Sequence, residues 1–236
     1  MKELLVISGL AGGYREGVDV LHGIDLTIGE GQALGIIGLN GSGKSTLGKA
    51  IMNMIPFRRG QLVWKGTPVE TCSTCGLVRL GLGIMQQGGR VFPALSVWDN
   101  LALAFEAGTW EAYGQIRAIF PFLQQSKRAL QHQMADRLSG GQKHQLALAM
   151  TLATRPELVI LDEPSAGLSP KSVAEMYGLL QAMREQMKMT LVLIEQNVSK
   201  AVDFCDDIVM LQQGTVRTGL QGHSLEEIES IMFNDR

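Results

Sequence analysis

The chain has 236 residues, a length that fits one elaborated α/β domain. It is 45% hydrophobic and 19% charged, which excludes an intrinsically disordered chain. With 21 Lys and Arg against 23 Asp and Glu and no dense basic run, its formal charge of −2 does not favour a nucleic-acid partner. No run approaches the roughly 18 apolar residues of a membrane span, so we expect any membrane contact to be made through a partner.

Short apolar segments predict eight strands, with helical stretches between them. In chain order the strands are expected over residues 4–8, 24–28, 33–37, 61–64, 83–85, 158–161, 190–194 and 208–211. Residues 158–161 and 191–194 are continuous apolar runs, which is typical of parallel strands buried on both faces. Between these two strands, residues at helical spacing predict the crossover helix of a βαβ unit: Val173, Met176, Tyr177, Leu180 and Met187.

Two further stretches are predicted to be helical. Residues 96–137 contain few strand signals, and the apolar residues Leu101, Leu103, Ala104 and Phe105 favour helices inserted into the sheet domain. Near the end of the chain, residues 224–233 carry Leu225, Ile228, Ile231 and Met232 at helical spacing. The simplest interpretation of this last stretch is a helix that packs on the core.

The strongest chemical signal is the segment 38–45, Gly-Leu-Asn-Gly-Ser-Gly-Lys-Ser, directly after a predicted strand. It matches the phosphate-binding pattern G-x-x-x-x-G-K-[ST], in which glycines let successive backbone N–H groups point at a phosphate. Lys44 would reach the β- and γ-phosphates of a nucleotide, and the Ser45 hydroxyl would coordinate Mg²⁺. The following helix has an apolar face that we expect to be buried, formed by Leu47, Ala50, Ile51 and Met54.

A second element fits this phosphate site. The apolar strand at 158–161 ends in Asp162 and Glu163. Because adjacent strand residues point to opposite faces, the two carboxylates can have different tasks. We expect Asp162 to serve Mg²⁺ and Glu163 to accept a proton from an attacking water.

The third element is the segment 138–142, Leu-Ser-Gly-Gly-Gln, followed by a mostly apolar stretch over 146–153. Serine and two glycines that open a helix form a second anion-binding terminus, although alone they could be an ordinary helix cap. A chain with one phosphate nest needs a second only if two chains share each nucleotide.

These three segments in this order resemble the ATP-binding subunits of ABC transporters, and the resemblance spans essentially the whole chain. It implies an α/β fold with a P-loop NTPase core of mixed, mainly parallel sheet, an N-terminal antiparallel β subdomain and an inserted α-helical subdomain. One nucleotide-binding domain would cover 1–236, with 1–87 and 155–236 forming the RecA-like core plus the antiparallel subdomain. Residues 88–154 would form the helical subdomain with the signature motif.

The resemblance also implies a head-to-tail dimer, with ATP between the P-loop of one subunit and Ser139 to Gln142 of the other. It assigns Tyr14 to stacking on adenine and Gln87 to sensing Mg²⁺ and coupling to the membrane subunit; Gln86 is its neighbour. Residues 165–169 match the D-loop, with Ser169 where many members have Asp. The implied nucleotide ligands are Tyr14, Gly38, Asn40, Gly41, Ser42, Gly43, Lys44, Ser45, Thr46, Gln87, Ser139, Gly140, Gly141 and Gln142; the implied metal ligands are Ser45, Gln87 and Asp162.

One departure from the family pattern concerns catalysis. Where the family usually has a switch histidine after the strand 191–194, this chain has Gln196, within Glu195-Gln196-Asn197. Glutamine can hydrogen-bond a phosphate or a water but carries no positive charge near pH 7. Together with Glu163 and Lys44, Gln196 completes the expected catalytic set, and slower or partner-dependent hydrolysis is our hypothesis.

The segment around Gln196 and several others are similar to the F-type ATPases of branched-chain amino acid importers and to related urea importers. The other segments are 11–14, 89–93, 120–121 and 162–168. The similarity implies a second ATPase, either a paralogue or another copy of this chain. It also implies two integral membrane permease subunits, a solute-binding protein outside the cytoplasm, and a peripheral location at the cytoplasmic face of the plasma membrane. The chain departs from the amino-acid members at Ser42 to Thr46, usually Ala-Gly-Lys-Thr-Thr, and at Gln87, where many carry Glu.

Other functional classes fit the sequence less well. A soluble ABC protein of DNA repair or translation commonly has two cassettes or a long coiled-coil insert. An exporter or lipid-transport ATPase is the nearer competitor, and only the resemblance of residues 195–197 to the importer ATPases argues against it. An ordinary P-loop kinase or GTPase would have no use for the second phosphate nest.

The three cysteines, Cys72, Cys75 and Cys205, are an odd number and do not predict a disulfide framework. Cys72 and Cys75 form a single C-x-x-C, and the second pair of a structural zinc site is missing. The sequence therefore favours ordinary thiols, with a metal or redox role as the alternative.

Overall fold

The computed structural model of the chain describes residues 2–105, 111–217 and 225–234. Its strands are β1 Glu3–Gly13, β2 Leu21–Gly29, β3 Ala33–Ile37, β4 Phe57–Trp64, β5 Thr67–Pro68, β6 Leu82–Met85, β7 Leu158–Asp162, β8 Thr190–Glu195, β9 Asp207–Gln212 and β10 Thr215–Arg217. Its α-helices are α1 Lys44–Ile51, α2 Thr74–Arg79, α3 Val97–Ala104, α4 Glu111–Ile119, α5 Lys127–His132, α6 Gly140–Leu152, α7 Pro170–Met187, α8 Val198–Phe204 and α9 Leu225–Asn234. Short 3-10 helices occupy Pro121–Gln124 and Ala135–Arg137.

The chain divides into two compact units. The first comprises Met1–Leu77 and Thr190–Arg236, and the second comprises Val78–Met189. The division of the domain into a core and a helical subdomain over 88–154 stays a prediction. The described helices α3, α4, α5 and α6 lie within that range.

The first unit contains an antiparallel sheet with the strand order β2-β1-β4-β5. Strand β1 lies between β2 and β4. Its pairing with β4 shifts register between Ser8 and Ala11, and its pairing with β2 shifts register between Ile7 and Leu10. Leu5, Ile7 and Leu10 of β1 are fully or almost fully buried. Beyond this shift the strand continues to Gly13, and Tyr14 is the next residue.

The same unit contains parallel strands, with β3 between β8 and β9 and with β10 antiparallel to β9. Ile37, the last residue of β3, is in register with Glu195 of β8 and Met210 of β9. The carboxyl ends of the three strands therefore meet at one edge, from which the segment 38–45 emerges. Ligand sites of open α/β sheets form at this edge.

Helices α8 and α9 close the core beside that edge. The buried cluster is formed by Ile37, Val198, Ala201, Met210, Ile228 and Met232. Ile228 and Met232 belong to α9 and Ile231 packs against the cluster, so the predicted packing role is confirmed for these residues. Leu225 of the same predicted face is exposed, and Ser224 lies outside the described residues.

In the second unit β6 and β7 run parallel, with Met85 in register with Leu161. All five residues of β7 are buried, as expected for an apolar strand covered on both faces. Helix α6 contacts β6, α3 and α7. Residues that follow β6 and β7 are thereby placed side by side.

All eight predicted strands exist, and the helices predicted within 96–137, after the P-loop and between β7 and β8 are confirmed. Met54 was wrongly assigned to the buried face of the helix after the P-loop. Helix α1 ends at Ile51, and the Met54 side chain is 37% exposed. Among the residues that the structure describes, no helix is both long and apolar enough to cross a membrane.

Candidate functional site

The loop between β3 and α1 has the backbone that a phosphate site needs. Gly38, Gly41 and Gly43 have φ angles of 154°, 82° and 104°, a region that disfavours residues with side chains. A Cβ at Gly38 would collide with the Leu211 carbonyl oxygen and lie 2.8 Å from Ser42 Oγ. This crowding explains why the sequence requires glycine at the start of the loop.

Lys44 is the first residue of α1, and its side chain bonds back to the loop that precedes the helix. Its side chain is buried, and Nζ donates hydrogen bonds to the carbonyl oxygens of Gly38 at 2.7 Å and Leu39 at 3.0 Å. Ser42 Oγ is buried, and no hydrogen-bond partner for it occurs in the described part of the chain. Asn40, Ser45 and Thr46 complete this segment.

Tyr14 lies near the same helix. Its hydroxyl is 3.5 Å from the Thr46 hydroxyl oxygen, while its side chain is 48% exposed. The loop after it is fixed by Arg59 of β4, which forms an ion pair with Asp19; Nη1 donates to Oδ1 at 3.0 Å. The hydrogen bond from Arg59 lowers the pKa of Asp19, so this pair persists to lower pH than an isolated carboxylate would allow. An exposed ring on a fixed loop can serve as a stacking platform.

We expect Tyr14→Ala to raise KM for ATP roughly two- to tenfold, since an aromatic stacking contact contributes about 0.5–1.5 kcal/mol. Tyr14→Phe keeps the ring and loses only the hydroxyl beside Thr46, so its KM should stay close to that of the unsubstituted chain. Steady-state ATPase assays measure both values. Equal KM values for the alanine and phenylalanine variants would contradict a stacking role.

Gln196 emerges beside the start of the phosphate loop. Glu195 is in register with Ile37, so Gln196 follows β8 where Gly38 follows β3. The Gln196 side chain is exposed, whereas Glu195 is buried. Asn197 caps α8 by accepting a hydrogen bond from the Lys200 backbone N–H at 3.1 Å. This cap fixes the backbone that presents Gln196.

In the second unit, Gln87 and Glu163 are brought together. Gln87 Nε2 donates to Glu163 Oε2 at 2.6 Å. Met85 and Leu161 are in register. Gln87 lies two residues after Met85, and Glu163 lies two residues after Leu161. Glu163 has a left-handed backbone, with φ 48°, which turns its side chain out of the strand direction. Asp162, the last residue of β7, is buried.

The segment 138–142 forms a capping box at the start of α6. Ser139 Oγ accepts from the Gln142 backbone N–H at 3.2 Å, and the Ser139 N–H donates to Gln142 Oε1 at 3.1 Å. Ser139 and Gly140 are exposed. The serine hydroxyl accepts the cap hydrogen bond, and its own proton can point outward to an anion. The helix cap and the anion site are thus compatible uses of one serine.

The two glycines of this segment differ in their surroundings. A Cβ at Gly141 would lie 2.8 Å from Ser172 Oγ, whereas one at Gly140 would meet nothing closer than 3.8 Å. We expect Gly141→Ala to destabilise the fold by about 1–3 kcal/mol through overpacking. Gly140→Ala should leave Tm unchanged or higher and yet lower ATPase activity, because it alters the exposed surface. Thermal unfolding and ATPase assays on the pair test this contrast, which equal Tm values would contradict.

His144 was not singled out from the sequence. It is buried, and its Nδ1 donates to the Gly140 carbonyl oxygen at 3.0 Å. A Cβ at Gly89 would lie 2.9 Å from His144 Cα and Cγ, so the segment after Gln87 packs directly on α6. The sequence offered one signal for this residue, its position one helical turn after the two glycines at 140–141.

Ser169, assigned to the D-loop, caps α7 by accepting from the Ser172 N–H at 3.3 Å.

Comparison with known proteins identifies the family. The family model described as "ABC transporter" matches residues 21–166, more than half of the chain. The chain belongs to the ABC transporter family. It is therefore an ATP-binding subunit of an ABC transporter, and an ATPase whose hydrolysis is coupled to transport.

Three curated relatives of this ABC ATPase carry names related to amino-acid transport. "Probable branched-chain amino acid transport ATP-binding protein LivF" of Archaeoglobus fulgidus is 33% identical over 95% of this chain and 94% of its own length. "High-affinity branched-chain amino acid transport ATP-binding protein BraG" of Pseudomonas aeruginosa is 28% identical over 86% of this chain and 87% of its own. "Methionine import ATP-binding protein MetN 1" of Burkholderia pseudomallei is 32% identical over 92% of this chain and 64% of its own.

Solved structures show the same fold. A nucleotide-free ATP-binding cassette from an ABC transporter has a TM-score of 0.81 at 21% identity and covers 98% of this chain and 95% of that chain. A dimeric cassette in a post-hydrolysis state, bound to ADP and phosphate, has a TM-score of 0.76 at 22% identity and covers 93% and 100%. The predicted α/β fold class of the ABC ATPase is confirmed.

Proposed function

We propose that this ABC ATPase energises an importer of branched-chain or other amino acids. The observation that supports this best is the 33% identity to the LivF relative, which extends over nearly the full length of both chains. The names of the BraG and MetN 1 relatives support amino acids as the solute class. The Glu195-Gln196-Asn197 segment supports the same class by its resemblance to the F-type ATPases.

The nucleotide site that we propose is formed by the loop 38–46. Backbone N–H groups of the glycine-rich loop and the Lys44 ammonium would bind the phosphates, and Tyr14 would stack on adenine. The Ser139 to Gln142 segment of a second subunit, which is exposed at Ser139 and Gly140, would bind the same nucleotide from the other side. The dimeric state of the cassette bound to ADP and phosphate supports this arrangement.

The oxygen donors of the chain fit Mg²⁺. Hard cations take oxygen ligands, and the hydroxyl of Ser45, the carboxylate of Asp162 and the amide oxygen of Gln87 are of that kind. Because Gln87 uses its amide nitrogen for Glu163, the amide oxygen is the atom that it can offer a metal. When bound, Mg²⁺ would neutralise charge on the phosphates.

For hydrolysis, we assign Glu163 as the base that takes the proton of the attacking water. Its hydrogen bond to Gln87 orients the carboxylate and links it to the segment that would contact a membrane subunit. Lys44 would stabilise the charge that develops on the phosphoryl oxygens. Gln196, at the edge beside Gly38, would donate a hydrogen bond to the γ-phosphate or the water.

We expect Gln196→Ala to lower kcat roughly tenfold, the loss of one hydrogen bond to a charged group worth about 1.5 kcal/mol. Gln196→His should restore a group that can carry charge, so its kcat should rise as the pH falls toward about 6.5. ATPase rates measured across this pH range on both variants test the assignment. An alanine variant with unchanged turnover would remove it.

The partners that we propose are a second ATPase subunit, two integral membrane permease subunits and, indirectly, an extracytoplasmic solute-binding protein. The second ATPase is a paralogue or a second copy of this chain. This assembly would hold the chain peripherally at the cytoplasmic face of the plasma membrane. A urea or amide importer with the same architecture is the alternative, suggested by the departures at 42–46 and at Gln87.

The test is to tag the chain, extract native membranes in mild detergent, and identify stoichiometric partners by mass spectrometry. Two polytopic proteins with a second ATPase would support the importer, and uptake of labelled leucine, methionine and urea by vesicles with and without the chain would identify the solute class. Recovery of ribosomes or DNA-repair factors in place of polytopic proteins would overturn the transport assignment and leave the nucleotide chemistry intact.

A further inference from the structure

The segment with Cys72 and Cys75 is bonded to the end of the helix that begins at the phosphate loop. Asn53, just beyond α1, donates from Nδ2 to the Cys72 carbonyl oxygen at 2.9 Å. Its own carbonyl oxygen accepts from Thr74 Oγ1 at 3.1 Å. The backbone on both sides of Ser73 is therefore tied to a single residue after α1.

Arg58 adds a second connection between the same two segments. Its Nη1 donates to the Ala50 carbonyl oxygen at the end of α1 at 2.8 Å, and its Nη2 donates to the Glu70 carbonyl oxygen. Burial lowers the pKa of the Arg58 guanidinium, and the nearby Glu70 and Cys72 oppose this shift through their charges. Cys72 therefore lies near the Arg58 guanidinium.

The two cysteines lie on either side of the start of α2. Ser73 opens α2, since its hydroxyl accepts from the Gly76 N–H at 3.2 Å and its carbonyl from the Leu77 N–H at 2.9 Å. This turn brings the Cys72 Cβ to 3.7 Å from the position of a Cβ on Gly76, the neighbour of Cys75. Cys75 is exposed and Cys72 is half-buried, so a small oxidant can reach the pair.

We propose that Cys72 and Cys75 form a reversible dithiol–disulfide pair whose redox state is transmitted through Asn53 to α1 and the nucleotide site. Cys72 directly precedes the capping residue Ser73, and Cys75 lies in the first turn of α2. A disulfide holds its two Cβ atoms about 3.5–4.5 Å apart, so its closure restrains the backbone that Asn53 contacts. Metal binding is the weaker reading, because the described residues contain no group of three or more potential His, Cys, Asp or Glu ligands.

The oxidant is a small-molecule disulfide such as glutathione disulfide. The Cys75 thiolate attacks its S–S bond, forms a mixed disulfide and releases one glutathione. The Cys72 thiolate then attacks the Cys75 sulfur and releases the second glutathione. In total, two protein thiols and one glutathione disulfide give one protein disulfide and two glutathione molecules, which take up the two electrons and two protons.

Peptide mass spectrometry tests the pair directly. The full-length chain is equilibrated with mixtures of glutathione and glutathione disulfide, alkylated and digested with trypsin. Cleavage after Lys65 and Arg79 puts both cysteines in one peptide, and cleavage after Lys200 puts Cys205 in another. We expect the first peptide to lose two hydrogen atoms as the mixture becomes oxidising and to regain them with dithiothreitol. A peptide that is alkylated twice at every ratio, or carries only glutathione on Cys75, would overturn the pair.

ATPase kinetics test the transmission. We expect oxidation to change KM for ATP about fivefold, the lower end of ordinary coupling between two sites. Cys75→Ser should abolish the response, and Cys205→Ser should preserve it. Asn53→Gly keeps a residue suited to the local φ of 52° and removes only the amide that bonds Cys72, so it should still form the disulfide with a smaller change in KM. An oxidised chain with the KM of the reduced chain would overturn the transmission.

Discussion

Glu163→Gln is expected to lower kcat for ATP hydrolysis about 10²- to 10⁴-fold, the contribution typical of a positioned general base. The substitution removes the basic carboxylate and keeps an oxygen that can accept the hydrogen bond from Gln87 Nε2. ATP binding should stay close to that of the unsubstituted chain, because Glu163 is assigned to the water and not to the phosphates. Single-turnover hydrolysis and equilibrium binding of ATP separate the two effects.

The matched control for this substitution is Glu157→Gln. Glu157 directly precedes β7, as Glu163 directly follows it, and its side chain is exposed. The control should hydrolyse ATP at the normal rate. Normal turnover by Glu163→Gln itself would refute its assignment as the base, and a loss of ATP binding would show that it contacts the nucleotide.

Lys44→Met is expected to weaken ATP binding roughly 10- to 150-fold. The estimate corresponds to the loss of charge-assisted hydrogen bonds worth about 1.5–3 kcal/mol. Methionine keeps most of the buried aliphatic volume and removes the ammonium that now bonds the Gly38 and Leu39 carbonyl oxygens. Isothermal titration with ATP measures the affinity, and thermal unfolding verifies that the variant is folded.

Lys49→Met is the control on the same helix. Lys49 lies in the last turn of α1, away from the loop, and is only partly buried. The same loss of charge there should leave ATP affinity unchanged. If both lysine variants bound ATP equally well, the phosphate site would have to lie elsewhere.

Most of the fold could be predicted because its buried strands are continuous apolar runs. Strands β7 and β8 are buried at every residue, so their hydrophobic patterns are unambiguous. Two strands were missed: β5 has two residues, both exposed, and β10 has three, none of them buried. Strand β1 extends to Gly13, well beyond the predicted residue 8, because pairing with both β2 and β4 holds a glycine-rich segment of low strand propensity.

The local parts of the candidate site could be predicted and the long-range contacts could not. The phosphate loop and the signature segment are each contiguous in sequence, so their composition is sufficient. The hydrogen bond from Gln87 to Glu163 joins residues 76 positions apart and depends on β6 being the neighbour of β7. The packing of His144 on Gly89 depends on the same tertiary placement. The sequence pattern carried no signal for either neighbour relation.

The left-handed backbone conformation of Glu163 lowers the stability of the fold at a residue that the proposed activity needs. A non-glycine residue with φ 48° bears a cost of about 1–2 kcal/mol that glycine at the same place would not. The chain thus keeps its proposed base at a position where the backbone alone would favour glycine. Selection for thermal stability alone should therefore favour glycine in place of Glu163, which would inactivate the chain. Substitutions that stabilise an active ATPase must lie at other positions.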